Sequence, residues 1–509
     1  PPGRFGCSPM RTYSGTPHRR TFHNVAERAR IGPTRRKQAA VPVPIDPASV
    51  AFLIAENRSM PMHVGGLQLF KKPEGAPRNY TRKLYEQMLD VEEMAPLFLK
   101  RPVRSLRTAG QWAWTPDLQF DIEHHVRHSA LPKPGRVREL LELCSRLHGT
   151  RLARERPLWE AHIIEGMRDG RVAMYWKMHH SLVDGVSAMR LLQSVLSPDP
   201  EQRQMPPPWA ARPSTAKANR ARESAEHSLS DVPIEAMRTA LGITAEAAGM
   251  PAALIKTLTK GIRNETSALS LHAPRTMFNT TITGSRRFAA QGWPMERLRG
   301  ISKASGTTLN DVVLAMCGGA VRAYLLDHEA LPDTTLVSMV PVGLNAKSSS
   351  SASAEGGNAV GAVMVKLGTD LADPVARLKQ IHKSMNDGKE SLSSMTPVQI
   401  LAMSAIGMAP SIITPMLRLH GIVRPPFNLI ISNVPGPKKP LYLNGARLVG
   451  TYPMSIPIQG MALNITCNSY DQDMDFGLIG CRRSVPHLQR LLTHLDNEVT
   501  ALEKATGVG

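Results

Sequence analysis

The stretch Tyr175 to Met189, YWKMHHSLVDGVSAM, places His179, His180, Asp184 and Gly185 within seven residues at the end of an apolar run. An imidazole can take or give a proton near neutral pH. A strand over Val172 to His180 would alternate its side chains between two faces. Val172, Met174, Trp176, Met178 and His180 then share one face, and Ala173, Tyr175, Lys177 and His179 the other. The two histidines therefore meet different surroundings and cannot share one role. Ser181-Leu182-Val183 turns the chain, Asp184 stands where a helix begins, and Gly185 permits close backbone approach.

Metal binding fails on spacing. Adjacent histidines on a strand diverge, and neither an H-E-x-x-H helix nor a cysteine set accompanies them. Nucleophilic catalysis has no G-x-S-x-G elbow. General base catalysis needs only one imidazole, held at a cleft. The ordinary alternative is a pair of satisfied core histidines, and the Asp-Gly at fixed spacing weighs against it.

The elements that must position these residues alternate between helix and strand signals in both halves, which indicates an α/β class with two sheets. Residues 47–70 suggest a short helix, a loop and a strand. Arg136 to Leu152 has helical apolar spacing at Leu140, Leu141, Cys144 and Leu147. Two strands around a Gly-containing turn lead into the histidines, and a helix follows them until Pro198. The second half offers helices near residues 294–306 and 308–326. Strand signals follow, GARLVGTYPMS (Gly445 to Ser455) among them, and then a closing amphipathic helix. The expected division is a basic tail over 1–45, a first domain over 46–197, a Pro-rich and helical linker over 198–275, and a second domain over 276–509.

Length and composition bound the function. A chain of 509 residues exceeds one ordinary core. The net charge is +20, and residues 1–45 hold nine Lys/Arg against Glu27 alone. Such a field suits nucleic acid, an anionic membrane surface or a phosphorylated cofactor. Nucleic acid is set aside, because basic and aromatic residues do not interleave. The first residues lack the apolar core of a secretory signal; they are Arg-rich, as transit peptides or disordered tails are. Five scattered cysteines without CxxC argue against a disulfide framework or zinc site and fit a reducing compartment. Ser391 to Leu417 carries no charge. Its three prolines make a straight transmembrane span improbable and favour buried, tunnel-lining helices or an interfacial segment.

HHxxxDG followed by a helix resembles the signature of CoA-dependent acyltransferases. The resemblance is closest to bacterial wax ester synthase/acyl-CoA:diacylglycerol acyltransferases. RPLWE (Arg156 to Glu160) looks like that family's PLW element, TLNDVVLAMCGGA (Thr308 to Ala320) like its ND element, and ISNVPGP (Ile431 to Pro437) like its NVP element. Ser59 to Phe70 and Ala462 to Gly480 resemble its first and last markers. The markers run in the expected order; the tail and linker fall outside them.

The resemblance implies two chloramphenicol-acetyltransferase-like domains, each a mixed sheet with flanking helices, with a substrate tunnel between them. It implies transfer of a fatty acyl group from acyl-CoA to diacylglycerol or a long-chain alcohol, forming triacylglycerol or wax ester. Acyl-CoA is a co-substrate, and neither cofactor nor metal is expected. His180 is the expected general base, His179 an orienting or structural neighbour, Asp184 a loop-holding residue, and Gly185 a residue leaving room for substrate. Asn433 is a candidate oxyanion donor, with Ser432 beside it and Asn310 as a further substrate-binding candidate. Asn310 and Asp311 can equally cap a helix. Pro157-Leu158-Trp159 is expected to pack, His63 is a lesser candidate, and the second pair, His124 and His125, is expected in a surface loop. The expected location is cytoplasmic, peripheral to membrane or lipid inclusions. Two alternatives stay open: esterification of another secondary alcohol such as a polyketide diol, and a non-catalytic lipid-surface protein.

Overall fold

The computed structural model describes residues 42–108, 110–211, 273–343, 360–393 and 424–508. In chain order the first part holds β1 (Val43–Pro44), α1 (Pro47–Ala55), β2 (His63–Lys71), α2 (Tyr80–Leu89), β3 (Lys100–Arg104) and β4 (Trp112–Pro116). It continues with α3 (Ile122–His125), β5 (Val126–Ala130), α4 (Val137–Gly149), β6 (Trp159–Glu165), β7 (Val172–His179) and α5 (Gly185–Gln193). After residue 272 come β8 (Arg286–Pro294), α6 (Met295–Ser305), α7 (Leu309–Asp327), β9 (Val337–Gly343), β10 (Val360–Lys366) and α8 (Pro374–Ser393). The chain closes with β11 (Leu429–Val434), β12 (Tyr442–Leu443), β13 (Ala446–Met454), β14 (Leu463–Tyr470), β15 (Asp473–Cys481) and α9 (Arg490–Thr506).

Two six-stranded mixed sheets carry the fold, in the orders β12-β13-β2-β7-β6-β5 and β10-β9-β11-β14-β15-β8. A small sheet, β1-β4-β3, lies beside them. The alternation expected in β7 separates two apolar cores. Met174, Trp176 and Met178 enter one cluster with Leu53, Phe70 and Trp159. Ala173 and Tyr175 enter another with Leu140, Phe288 and Ile479. That second cluster joins the halves, since it draws on both large sheets.

One strand departs from the sequence reading. Ala446 to Met454 was expected in the second domain; instead it pairs antiparallel with β2, from Arg447 opposite Lys71 to Met454 opposite Gly65. The second half thus completes the first sheet. β13 also backs closely onto β15: a Cβ at Gly477 would run into the Pro453 carbonyl. Here the Thr451 N–H donates to Asp475 Oδ2 at 2.7 Å.

The expected linker also starts later than 198. Ser197 and Tyr442 exchange backbone hydrogen bonds, and the Ala211 N–H donates to the Glu93 carbonyl. Trp209 is buried, stacks on Trp159 at 5.2 Å between centroids, and donates Nε1–H to the Met88 carbonyl. Residues 198–211 therefore belong to the first core. Among the described residues α7 alone is long and apolar enough to cross a membrane, and it is mostly buried as a core helix. The basic tail to residue 41, the remainder of the linker, and the uncharged segment beyond Ser393 lie outside the described residues.

Candidate active site

β7 ends at His179, and His180 begins the turn. Antiparallel pairing sets His179 opposite His63 on β2. The His179 N–H donates to the Leu158 carbonyl, and the His180 N–H to the Met62 carbonyl. Both histidines are thus fixed through backbone, on neighbouring elements, before their side chains act.

Their rings differ as the alternation requires. His179 is fully buried. Its Nδ1 accepts from the Ser181 N–H at 3.1 Å and lies 2.7 Å from Ser181 Oγ. That places the ring proton on Nε2, which faces Glu56 Oε1 at 3.7 Å. Burial, with His180 and Arg154 adding to it, lowers its pKa to about 3. His179 is a neutral ring held at Nδ1, with Nε2 enclosed near Glu56 but without a hydrogen-bond partner among the described residues.

His180 is half-buried. Its ring lies flat on Phe52 of α1, with centroids 4.1 Å apart and planes 16° apart. Nδ1 is shut from solvent without a hydrogen-bond partner. Desolvation lowers the pKa from its ordinary 6.5, while its own backbone and the Asp184 charge oppose the shift. The imidazole is therefore neutral at physiological pH and able to accept a proton.

Asp184 caps α5. Its Oδ1 accepts from the Ser187 N–H at 2.8 Å, and its Oδ2 from the Ser187 hydroxyl at 2.8 Å. The loop is held by hydrogen bonds, with no ion pair from Asp184 to arginine among the described residues. A Cβ at Gly185 would meet nothing within 4 Å. The fold does not require glycine there, and the open space is available to a ligand.

The second-half candidates form their own group. Asn433, on β11, donates Nδ2–H to Asn310 Oδ1 over 3.4 Å. Asn310 lies in the first turn of α7, next to Asp311, whose carboxylate and Thr308 form a reciprocal capping box. Asp311 Oδ2 also meets His382 Nδ1 at 2.7 Å. Ser432 neighbours Asn433 on β11, and its carbonyl accepts from the Cys467 thiol at 3.5 Å. The structure thus joins Asn310 to Asn433 in the second sheet region and keeps His179, His180, Asp184 and Gly185 together at the end of β7. The motif's Leu182 and Val183 share an apolar cluster with Ile456 and Tyr470 of the second half.

Several roles differ from the sequence expectation or were absent from it. His125 is not in a surface loop: it is buried in α3, donates Nδ1–H to the Trp159 carbonyl at 2.7 Å, and stacks on Trp159 at 4.7 Å. His63 is buried and donates Nε2–H to the His148 carbonyl at 2.9 Å, which makes it part of the inter-element framework. Glu56 was not foreseen. It is buried, accepts from the Met62 N–H at 3.3 Å, and pairs with Arg154 at 3.2 Å. Its only sequence signal is an acid directly after an apolar helix. Lys177 is also buried on the His179 side of β7. Its Nζ donates to the Leu147 and Thr150 carbonyls at 3.0 and 2.7 Å, closing the C-terminus of α4.

The comparisons with known proteins agree with this architecture. Residues 45–313 match the model of the wax ester synthase/diacylglycerol acyltransferase catalytic domain, and residues 356–503 that of the WS/DGAT C-terminal domain. A putative diacylglycerol O-acyltransferase of Mycobacterium tuberculosis is 46% identical over 466 residues, covering 91% of this chain and 100% of that protein. The solved wax ester synthase/diacylglycerol acyltransferase from Marinobacter aquaeolei VT8 is 40% identical with a TM-score of 0.71, over 91% of this chain and 100% of that one. The first condensation domain of the CDA synthetase shares the fold at 15% identity and a TM-score of 0.54, over 92% of this chain and 97% of that one. With both family models matched in order and a relative this similar along its whole length, the chain belongs to the wax ester synthase/diacylglycerol acyltransferase family.

Proposed function

We propose that this protein transfers a fatty acyl group from acyl-CoA to the hydroxyl of diacylglycerol or a long-chain alcohol, with His180 as general base. The observation that carries the assignment is the contrast between the two rings. His179 is fully buried with its Nδ1 taken up by the Ser181 N–H, whereas His180 is half-buried; each ring also encloses one nitrogen without a hydrogen-bond partner, Nε2 in His179 and Nδ1 in His180. With Nδ1 closed to solvent, Nε2 is the nitrogen left to meet the acceptor hydroxyl.

In the proposed step His180 removes the hydroxyl proton as the oxygen attacks the thioester carbon. The C–O bond forms, the C–S bond breaks, and the imidazolium returns its proton to the departing thiolate of CoA. The products are an ester and free CoA, and the ring ends neutral. A thioester is already activated, so neither an acyl-enzyme nor a cofactor enters the chemistry. Oxygen bears negative charge in the tetrahedral intermediate, and the Asn433 amide is the proposed donor to it, braced by Asn310. Asp184 and its cap set the position of α5, and the open space at Gly185 is where the acceptor approaches.

The acceptors are insoluble, so the protein works against a lipid phase as a peripheral protein. The basic tail over 1–45 supports this reading through attraction to anionic headgroups. Incubation with palmitoyl-CoA and a panel of diacylglycerols, fatty alcohols and secondary diols, with products identified by mass spectrometry, tests the function. Triacylglycerol or wax ester with stoichiometric CoA release is expected. CoA release with none of these acceptors would overturn the reading in favour of a non-catalytic lipid-surface role.

A further inference from the structure

We propose that the outer face of α1, together with the tip of the β3–β4 hairpin, is the surface that docks this protein on an anionic lipid phase. The inference rests on the proposed work at a lipid surface and names the face that does it. α1 has the sequence PASVAFLIA, with no charged residue. A helix apolar on all sides is normally buried. This one buries Ser49 and Leu53 but exposes Pro47, Ala51 and Ile54. Those three are four and three residues apart, so they share one face. Ile54 is 70% exposed.

The hairpin tip lies beside the start of this helix. The Ile45 N–H donates to the Trp112 carbonyl, which sets the chain entering α1 next to the first residue of β4. The loop just before Trp112 carries Leu106, which is 99% exposed, and the paired edge strand β1 carries Val43, 60% exposed. At the other end of α1, Arg154 lies over the Trp112 ring at 5.8 Å and donates to the Leu53 carbonyl. Single exposed apolar side chains are ordinary; we take Ile54, Leu106 and Val43, on elements that adjoin at Trp112, as one surface.

The charge around the patch selects the occupant. The described part of the hairpin carries Lys100, Arg101 and Arg104, and residues 99–112 include no acid. Arg58 is exposed just beyond α1. Of the acids nearby, Asp46 accepts from the Ser49 N–H as the α1 cap and Glu56 is buried against Arg154, while Glu155, next to Arg154, is exposed and offsets one of the cations. An apolar face rimmed by cations fits a membrane interface with anionic headgroups. The inner face of the same helix carries Phe52, which lies on His180. One helix thus lies between the docked lipid and the base.

The test is co-sedimentation of the full chain with vesicles of phosphatidylcholine and phosphatidylglycerol, at low and high salt. The double variant Ile54→Gln, Leu106→Gln is compared with Leu118→Gln, an equally apolar site 74% exposed beyond the far end of β4. The double variant should bind about tenfold more weakly than the native chain at both salt levels, with unchanged melting, and Leu118→Gln should bind as the native chain does. Should the double variant melt early, Leu106→Gln alone, at a loop tip, supplies the comparison. Equal binding by all variants would overturn the docking face and leave the lipid-surface reading standing. Equal losses in the double variant and Leu118→Gln would also overturn the face. Failure of the native chain to bind vesicles at all would remove the lipid-surface reading and this inference with it.

Discussion

The ring of Phe52 lies flat against that of His180, 4.1 Å away, and covers one face of the imidazole on which the proposed chemistry depends. Burial keeps the His180 pKa below its ordinary 6.5, so the neutral base persists as pH falls through that value. Phe52→Ala admits water and lets the pKa rise. The acid limb of the kcat/KM profile should then move to higher pH, with kcat/KM lowered mainly below about pH 6.5, where the ring becomes protonated. A pH–rate profile on matched protein checks this. An acid limb that stays in place would show that Phe52 does not control the solvation of His180.

Asp184 caps α5, and its proposed role is through that cap rather than on substrate. Asp184→Ala should cost about 1 kcal/mol of stability, the usual worth of an N-cap, with activity lost in proportion. Asparagine caps equally well, so Asp184→Asn should retain the melting temperature and most of the activity. Chemical denaturation alongside turnover checks both. A stable Asp184→Asn variant with a hundredfold or greater loss of turnover would place the carboxylate in the chemistry.

Much of this site is legible in the sequence because it is local. Strand alternation separates His179 from His180, and the turn places Asp184 at a helix start; neither inference needs a distant partner. What stays hidden is non-local. Glu56 and Phe52 reach the histidines from a helix more than a hundred residues earlier, and nothing in AFLIAEN announces it. β13 is hidden for the same reason: an alternating strand is compatible with either sheet, and only its pairing with β2 decides. His125 misleads in another way. Its polar surroundings in sequence suggest a loop, but one hydrogen bond to the Trp159 carbonyl and two ring stacks hold it in the core, with Nε2 left unpartnered.

The glycine of the motif can be tested separately from the fold. Ala has room at position 185 and a better helix propensity, so Gly185→Ala should melt at or slightly above the native temperature. Its kcat/KM should fall by about tenfold or more, because the added methyl occupies the space assigned to the acceptor. Steady-state kinetics with diacylglycerol checks the point. Full activity would show that the open space is unused.

Asp475 sets a pH dependence where the two sheets meet. Burial pushes its carboxyl up to about 7 from an ordinary 3.8, against the Thr451 N–H, which favours the charged form. The folded state therefore holds this proton where the unfolded chain releases it. Stability is fully present below the unfolded value and is lost as pH rises through about 7. Asp475→Asn keeps an oxygen for the Thr451 N–H and removes the charge. Urea denaturation should find it more stable than the native chain by about 2 kcal/mol at around pH 8, with little difference at around pH 4. An unchanged or lower stability at the higher pH would contradict this.

The central claim is that His180, and not His179, moves the proton. Its most direct test is single-turnover CoA release from palmitoyl-CoA with diacylglycerol, for the native chain, His180→Ala and His179→Ala, each with its melting temperature. His180→Ala should melt as the native chain does and lose about 10²–10⁴ in rate. His179→Ala empties a buried site, so its losses should be milder at the chemical step and follow its stability. A folded His180→Ala protein that releases CoA at the native rate would contradict the account.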